Sequence, residues 1–120
     1  MVIGAGGGLG AALVARLSDS AGAPERFQTV LALGRNSLPA IDYGDEASLK
    51  SAAEWVAAQC ASQGTELRLL VVASGFLHGP QGQPERSFSQ LDASYLKQVF
   101  QVNTLGPALV MKHFLPLLPR

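Results

Sequence analysis

The sequence predicts an α/β fold in which helices cover both faces of a parallel sheet, a doubly wound, three-layer αβα arrangement. Apolar runs that suit buried strands alternate with segments of helical periodicity. The first of these runs ends abruptly in a cluster of glycines ahead of a helix-like segment. Strands and helices that alternate in this way form parallel sheets. With 120 residues, 48% of them hydrophobic and 15% charged, the composition is that of one globular domain, placed over residues 1–120.

The amino-terminal part of the chain predicts a strand, a glycine turn, a helix and a second strand. After Val2 and Ile3 the chain enters the glycines, and residues 9–22 then predict a helix that Gly22 ends. The apolar face of this helix consists of Leu9, Leu13, Val14 and Leu17. Residues 27–34 (FQTVLALG) form a mostly apolar run, which is typical of a strand buried on both faces.

Residues 40–43 are a weaker candidate for a third strand. The piece PAIDY has a suitable composition, but only the stretch NSLPA leads to it from the second strand. A parallel crossover normally needs about a dozen residues. We therefore expect this third strand to be very short or degenerate.

A helix, a strand and a loop follow. Residues 45–64 have helical periodicity, with Asp45 suited to capping the helix and Gly64 to ending it. Residues 67–74 (LRLLVVAS) predict a fourth buried strand. The Gly, Pro, Gln and Ser content of residues 75–90 predicts a surface loop at the carboxyl side of that strand.

The last segment, residues 91–120, predicts a long helix interrupted around Gly106 and Pro107. We expect the fold to be truncated after this helix. Right-handed crossovers place the second strand beside the first and the fourth on the first strand's other side, a Rossmann-like order. The loops after the first, second and fourth strands should therefore converge on one crevice, where the functional residues are expected.

Charge and cysteine content narrow the classes of function. Nine Lys and Arg against nine Asp and Glu give no net charge, which argues against a nucleic-acid surface or an anionic-membrane anchor. The single Cys60 forms no internal disulfide, which favours a reducing compartment. No apolar run reaches about 18 residues and no secretion signal is recognisable, so a cytoplasmic protein is expected.

The glycine turn has two spacings that are typical of phosphate binding. Gly4, Gly8 and Gly10 form G-x-x-x-G-x-G, whereas Gly6, Gly8 and Ala11 form G-x-G-x-x-A. Either spacing brings backbone N–H groups and the positive end of a helix against a ligand's phosphates. The pattern favours dinucleotide binding over a purely structural turn, and the glycines alone do not choose between the spacings.

The residues after the second strand bear on the choice of cofactor. An Asp or Glu there accepts hydrogen bonds from an adenosine ribose, whereas an Arg neutralises a 2′-phosphate. LALGRNS supplies Arg35 and no acid, which favours NADP(H) over NAD(H), a solvated surface arginine being the alternative. The next acid, Asp42, suits an adenine contact and a turn or helix-cap carboxylate equally well.

Taken together, these features resemble the short-chain dehydrogenase/reductase family. The resemblance is carried by the glycine turn, Arg35, the piece IDYGDEASL, the strand that ends in ASG, and VNTLGPALVMKHFLPLL in the long helix. ASGFLHGPQGQPERSFSQL resembles, more narrowly, the bacterial members related to the C-factor cell-signalling protein. The resemblance covers essentially the whole chain but only the amino-terminal half of the family's pattern.

The resemblance implies cofactor contacts at the matching positions. Arg35 would contact the 2′-phosphate and Asp42 the adenine of a bound dinucleotide. The phosphate loop would consist of Gly4, Gly8, Leu9 and Gly10.

Further along the chain, Ala73, Ser74 and Gly75 match the end of the family's Asn-Asn-Ala-Gly and would lie beside the ribose. The asparagines themselves are missing here, so the hydrogen bonds with which they support the central strand in the family are not expected from these positions. Asn103 matches an asparagine that distorts the long helix and helps to hold a proton-relay water. The alternative for Asn103 is an amide on a helix face in contact with solvent.

The implied reaction is hydride transfer between a nicotinamide and the carbon of a carbonyl or alcohol substrate. In the family a tyrosine supplies the proton, with a lysine four residues later, and a serine holds the substrate oxygen. The tyrosines here are Tyr43 and Tyr95, followed four residues on by Ala47 and Val99. We therefore expect the cofactor-binding half of such an enzyme, the alternative being a catalytically inactive nucleotide-binding or interaction module.

Two further expectations complete the sequence-based description. An S-adenosylmethionine methyltransferase shares the glycine turn, but Arg35 stands where an acid is expected in that class. In the relatives the long helix helps to build an oligomer interface, so a homo-oligomer through residues 92–118 is expected.

Overall fold

The computed structural model describes residues 1–19, 27–79 and 82–120. The strands are β1 (Val2–Ile3), β2 (Ala32–Leu33) and β3 (Val71–Val72), and the α-helices are α1 (Gly8–Ser18), α2 (Glu46–Gln63), α3 (Ala93–Phe100) and α4 (Gly106–Phe114). A π-helical turn, Gln101–Leu105, joins α3 to α4, and short 3-10 turns cover Phe88–Gln90 and Leu115–Leu117. The predicted end of the first helix at Gly22 lies outside the described residues.

The three strands form one parallel sheet in the order β2-β1-β3. Val2 pairs with Ala32 on one side and with Val71 on the other. The crossover from β1 to β2 and the crossover from β2 to β3 run across the sheet in opposite directions, so right-handed connections place α1 and α2 on opposite faces of the sheet. The predicted α/β Rossmann-like fold is confirmed, including the position of the predicted fourth strand, here β3, beside the first.

Residues 40–43, where the sequence indicates a third strand that is very short or degenerate, form no strand. The chain turns back after β2, so that the Ile41 amide donates to the Gly34 carbonyl at 2.9 Å. Ile41 is buried in the core, but its segment contains turns and no strand. The physical reason is the short connection, since so few residues cannot carry a parallel crossover.

Helix α2 begins and ends where its sequence predicts. The Asp45 side chain accepts a hydrogen bond from the Ala47 amide at 3.0 Å and so caps the first turn. Gly64 follows the last turn with φ of +62°, a left-handed conformation that favours glycine. The buried face of the helix consists of Leu49, Ala52, Ala53 and Val56.

The core lies where α2 and α4 pack beside the sheet. Its fully buried side chains are Val2, Ile3, Leu33, Leu49, Val56, Val110 and Phe114. Burying one such side chain contributes about 1.5–3 kcal/mol relative to leaving it exposed. At the rim of this contact Glu46 accepts a hydrogen bond from Lys112 at 2.6 Å, and His113 Nε2 lies 2.9 Å from the same oxygen. These two bonds, Lys112 first, lower the pKa of the Glu46 carboxyl.

The last helix is interrupted, as the sequence predicts, but the interruption is a π-helical turn that lies before Gly106 and Pro107 rather than at them. This turn spans Gln101–Leu105 and ends where α4 begins at Gly106. Pro107 falls in the first turn of α4, where its missing N–H costs no helical hydrogen bond. The exposed apolar side chains along this segment are Phe100, Leu105, Met111 and Leu115. The homo-oligomer contact over residues 92–118 stays a prediction.

Within the described ranges, no helix combines the length and the apolar character that crossing a membrane requires.

Candidate functional site

Three loops meet at the carboxyl edge of the sheet. The loop after β1 bonds to the last residue of β2, where the Ala5 amide donates to the Leu33 carbonyl at 3.1 Å, and a Cβ added at Gly34, where the next loop begins, would lie 4.0 Å from the Ala5 nitrogen. It contacts the loop after β3 through Gly4, which lies directly against the backbone of Ala73 and Ser74. The edge where the strand order reverses therefore carries a continuous surface formed by three separate parts of the chain.

Two glycines of the first loop are required by backbone packing. Gly4 has φ of +86°, and a Cβ there would lie 2.7 Å from the Ser74 nitrogen. A Cβ on Gly10 would lie 2.2 Å from the Gly4 carbonyl oxygen. No side chain fits at either position. A residue other than glycine at position 10 would push helix α1 away from the turn, and one at position 4 would push the loop after β3 away.

The remaining glycines of the turn leave its outer surface open. A Cβ added at Gly6 or Gly8 would meet nothing within 4 Å. Gly7 precedes the first turn of α1 and no side chain caps that turn, while Leu9 is 68% exposed. The first amides of a helix have no partners within it. Open backbone N–H groups at the positive end of a helix fit the phosphates of a dinucleotide.

This geometry distinguishes the two glycine spacings. In G-x-x-x-G-x-G, Gly4 and Gly10 are the positions that packing requires, and Gly8 is the position left open for a ligand. The alternative spacing uses Gly6 and Ala11, which are both exposed, and a Cβ added at Gly6 would meet nothing within 4 Å. The first spacing therefore describes the turn as it is folded.

Arg35 lies on the loop after β2, the second of the three loops. Its side chain is exposed and forms no ion pair with any residue in the described part of the chain. The turn that carries it is held by Ser37, whose Oγ lies 2.8 Å from the Gly34 amide nitrogen. The structure thus presents a positive side chain one strand away from the glycine turn, and its role as a 2′-phosphate contact stays a prediction.

Asp42 lies in the turn ahead of α2. Its Oδ1 accepts a hydrogen bond from the Gly44 amide at 2.8 Å. Ser48 Oγ also lies 3.0 Å from both the amide nitrogen and the carbonyl oxygen of Asp42. Asp42 therefore has the turn role that the sequence offered as one alternative, and its contact with an adenine stays a prediction.

Asn103 connects the π-helical turn to the loop after β3. Its Oδ1 accepts from the Phe76 amide at 2.8 Å, and its Nδ2 donates to the Phe76 carbonyl at 2.7 Å. A Cβ added at Gly75, next to Phe76, would lie 3.9 Å from Asn103 Oδ1. The Asn103 side chain is therefore bonded to the loop, although its role in holding a water stays a prediction.

Sequence reasoning noted Tyr43 only as a tyrosine without a following lysine and missed its contacts. Its hydroxyl is hydrogen-bonded to Ser74 Oγ, and the Gln101 side-chain amide donates to its carbonyl. Burial raises the pKa of the Tyr43 phenol, and the bond to Ser74 opposes that shift more weakly. The partners are 31 and 58 positions from Tyr43 along the chain, so no local sequence pattern could have indicated them.

Tyr95 was also treated only as a tyrosine without a following lysine. It is buried, and its hydroxyl donates to the Leu77 carbonyl at 2.6 Å. Its ring packs against Phe76 at a centroid distance of 5.7 Å.

Among the residues that the structure describes, no three His, Cys, Asp or Glu side chains come together as metal ligands.

A parallel sheet whose first strand passes through a close-packed glycine turn into a helix defines the Rossmann-like class of α/β proteins. Within that class the chain is similar to an NADPH-bound carbonyl reductase from chicken fatty liver, with a TM-score of 0.74 and 21% sequence identity. It is also similar to an aldohexose dehydrogenase from Thermoplasma acidophilum in ligand-free form, with a TM-score of 0.71 and 18% identity.

Both matches cover 97% of this chain, but only 50% of the reductase and 43% of the dehydrogenase. The chain therefore spans half or less of the solved structures to which it is similar. No protein-family model and no curated protein matches the sequence. At 21% and 18% sequence identity, the similarity to these two structures establishes the fold.

Proposed function

We propose that this chain is the cofactor-binding half of an NADP(H)-dependent oxidoreductase of the short-chain dehydrogenase/reductase type. The observation that carries the proposal is the glycine turn, in which Gly4 and Gly10 are closely packed while Gly8 is open at the start of α1. Arg35, exposed on the neighbouring loop, supports a ligand with an additional phosphate. The NADPH-bound state of the similar carbonyl reductase supports the same class of cofactor.

In this proposal each loop contributes one kind of contact. The open amides at the start of α1 bind the pyrophosphate, and the Arg35 guanidinium binds the 2′-phosphate. The backbone of residues 73–75 lies beside the ribose. The cofactor, when bound, supplies hydride for transfer to or from a carbonyl or alcohol carbon. This chain's own residues hold and orient the dinucleotide, and Asn103 maintains the loop over the crevice.

The test is a titration of the protein with NADPH and with NADH, followed by cofactor fluorescence. We expect at least a tenfold preference for NADPH, about 1.4 kcal/mol. Arg35→Ala should remove that preference by weakening NADPH binding alone. Arg68→Ala is the matched control, because Arg68 precedes β3 at the opposite edge of the sheet and pairs with Glu66 at 3.0 Å. Equal affinity for both cofactors, or no binding of either, would contradict the proposal.

The second candidate function is dinucleotide binding without turnover. It is favoured by one observation, that neither Tyr43 nor Tyr95 is followed four residues later by lysine. Incubation with NADPH and a panel of aldehydes and ketones tests this second candidate. Consumption of NADPH that depends on the carbonyl compound would contradict binding without turnover, whereas binding without consumption agrees with it and also with a cofactor-binding half.

A further inference from the structure

The loop after β3 is held at three points by three different elements. Ser74 is bonded to Tyr43, from the turn ahead of α2. Phe76 is bonded twice to Asn103, from the π-helical turn, and Leu77 accepts from the Tyr95 hydroxyl of α3. These anchors hold residues 74–77, which themselves form no helix or strand.

Tyr43 connects more elements than the other two anchors. A Cβ on Gly106 would lie 2.3 Å from Tyr43 Cδ2, so the ring packs directly on the backbone where α4 begins. The Tyr43 carbonyl accepts from the Gln101 side-chain amide, at the start of the π-helical turn. Its hydroxyl meets Ser74. One residue thus joins the turn ahead of α2, the distorted part of the last helix, and the loop after β3.

The anchor at Ser74 also acts at the point where the loop contacts the glycine turn. A Cβ on Gly4 would lie 2.7 Å from the Ser74 nitrogen and 2.8 Å from the carbonyl carbon of Ala73. No side chain separates the two backbones there. A shift of Ser74 therefore moves backbone atoms that lie directly against the turn.

We propose that Tyr43 is a positioning residue of the dinucleotide site, whose hydroxyl bond to Ser74 holds residues 73–75 against the glycine turn. The inference rests on the proposed function, because it assigns the loop to a dinucleotide. It also accounts for a departure from the related pattern, in which asparagines precede the alanine at the position of Ser74. Here a hydroxyl from another part of the chain supports the loop at that place.

The ionisation state of Tyr43 agrees with this role. Burial raises the pKa of its phenol above the ordinary value of 10.0, so the group keeps its proton near neutral pH. The contact with Ser74 is therefore between two neutral hydroxyl groups. Tyr43 holds the loop without carrying a charge into the site.

The experiment compares Tyr43→Phe and Ser74→Ala with the control Tyr95→Phe. Each tyrosine variant removes one hydroxyl bond to the same loop, and phenylalanine at position 43 keeps the ring on Gly106. We expect Tyr43→Phe and Ser74→Ala each to weaken NADPH binding by about three- to tenfold, the effect of one lost hydrogen bond. The double variant should be no weaker than either single one, because the two changes remove the same bond.

Two further measurements separate positioning from general stability. Ser74→Thr keeps a hydroxyl and should bind NADPH as the unchanged protein does. Tyr95→Phe should lower the melting temperature but leave the NADPH Kd unchanged, because its hydroxyl bond goes to Leu77, outside the residues 73–75 that the proposal places beside the ribose. An unchanged Kd in Tyr43→Phe, or an equal loss in Tyr95→Phe, would overturn the inference.

Hydrogen exchange provides a readout that does not depend on the cofactor. In Tyr43→Phe the peptide that covers residues 74–76 should exchange faster, while in Tyr95→Phe the increase should be confined to the residues around Leu77. If the unchanged protein binds no dinucleotide, the proposed function fails on that result. Faster exchange at 74–76 would then still support Tyr43 as the residue that positions this loop, and unaltered exchange would overturn it.

Discussion

The turns that follow β1 and β2 lie side by side at the same edge of the sheet, but they are built in opposite ways. The turn after β1 is shaped by missing side chains, since a Cβ at Gly4 or Gly10 would overlap backbone atoms. The turn after β2 is shaped by a side chain, since Ser37 Oγ lies 2.8 Å from Gly34 N and 2.6 Å from the Pro39 carbonyl oxygen. The first turn presents bare backbone, and the second presents the Arg35 side chain.

This difference separates general from selective recognition. Backbone amides at a helix start bind any phosphate group that reaches them. A guanidinium on the neighbouring turn distinguishes ligands by whether they carry another phosphate. Substitutions that add a side chain should therefore impair the turn after β1, whereas substitutions that remove side-chain atoms should impair the turn after β2.

Gly10→Ala should have the largest effect on stability. Its Cβ would lie 2.2 Å from the Gly4 carbonyl oxygen, so either α1 or β1 must move. Overpacking against backbone of this kind costs about 3 kcal/mol, at the upper end of such changes. The midpoint of urea unfolding measures it. An unchanged midpoint would show that α1 does not depend on this close approach.

Gly8→Ala, two residues away, sharpens the comparison. Nothing lies within 4 Å of its added Cβ, so the fold should lose no stability and should gain up to about 1 kcal/mol from the higher helix propensity of alanine. NADPH affinity should nevertheless fall at least tenfold, about 1.4 kcal/mol, because the methyl group enters the space reserved for phosphate. Full retention of affinity together with full stability would show that no ligand contacts this surface.

Local signals predicted the parts of the fold that local interactions determine. Asp45 caps α2 through an amide two residues away, and Gly64 adopts the left-handed conformation that ends it. The glycine turn was predicted from its spacing, and the family resemblance favoured Gly4, Gly8 and Gly10. The contact between Gly4 and Ser74, 70 positions further along the chain, gives the physical reason for a glycine at position 4. Periodicity and capping therefore predicted α2 from its own residues, whereas the glycine pattern alone did not determine which glycines packing requires.

The features that the sequence did not predict depend on contacts between distant residues. The piece at 40–43 has the composition of a strand, but the hydrogen bond from Ile41 to Gly34 holds it in a turn. The helix interruption was predicted around Gly106 and Pro107, whereas the π-helical turn begins at Gln101. Bonds from that turn to Tyr43 and to Phe76 accompany the distortion, and neither partner is its neighbour in sequence.

Ser37→Ala should give the smallest effect. It removes the oxygen that accepts from the partly buried Gly34 amide, at a cost of about 1 kcal/mol. Since the same turn carries Arg35, the preference for NADPH over NADH should also fall, but less than in Arg35→Ala. Ser62→Ala is the control, because its hydroxyl donates to Gln59 on the exposed surface of α2. If both serine variants lose equally little stability and preference, the turn after β2 does not depend on its side chain, and the contrast with the glycine turn disappears.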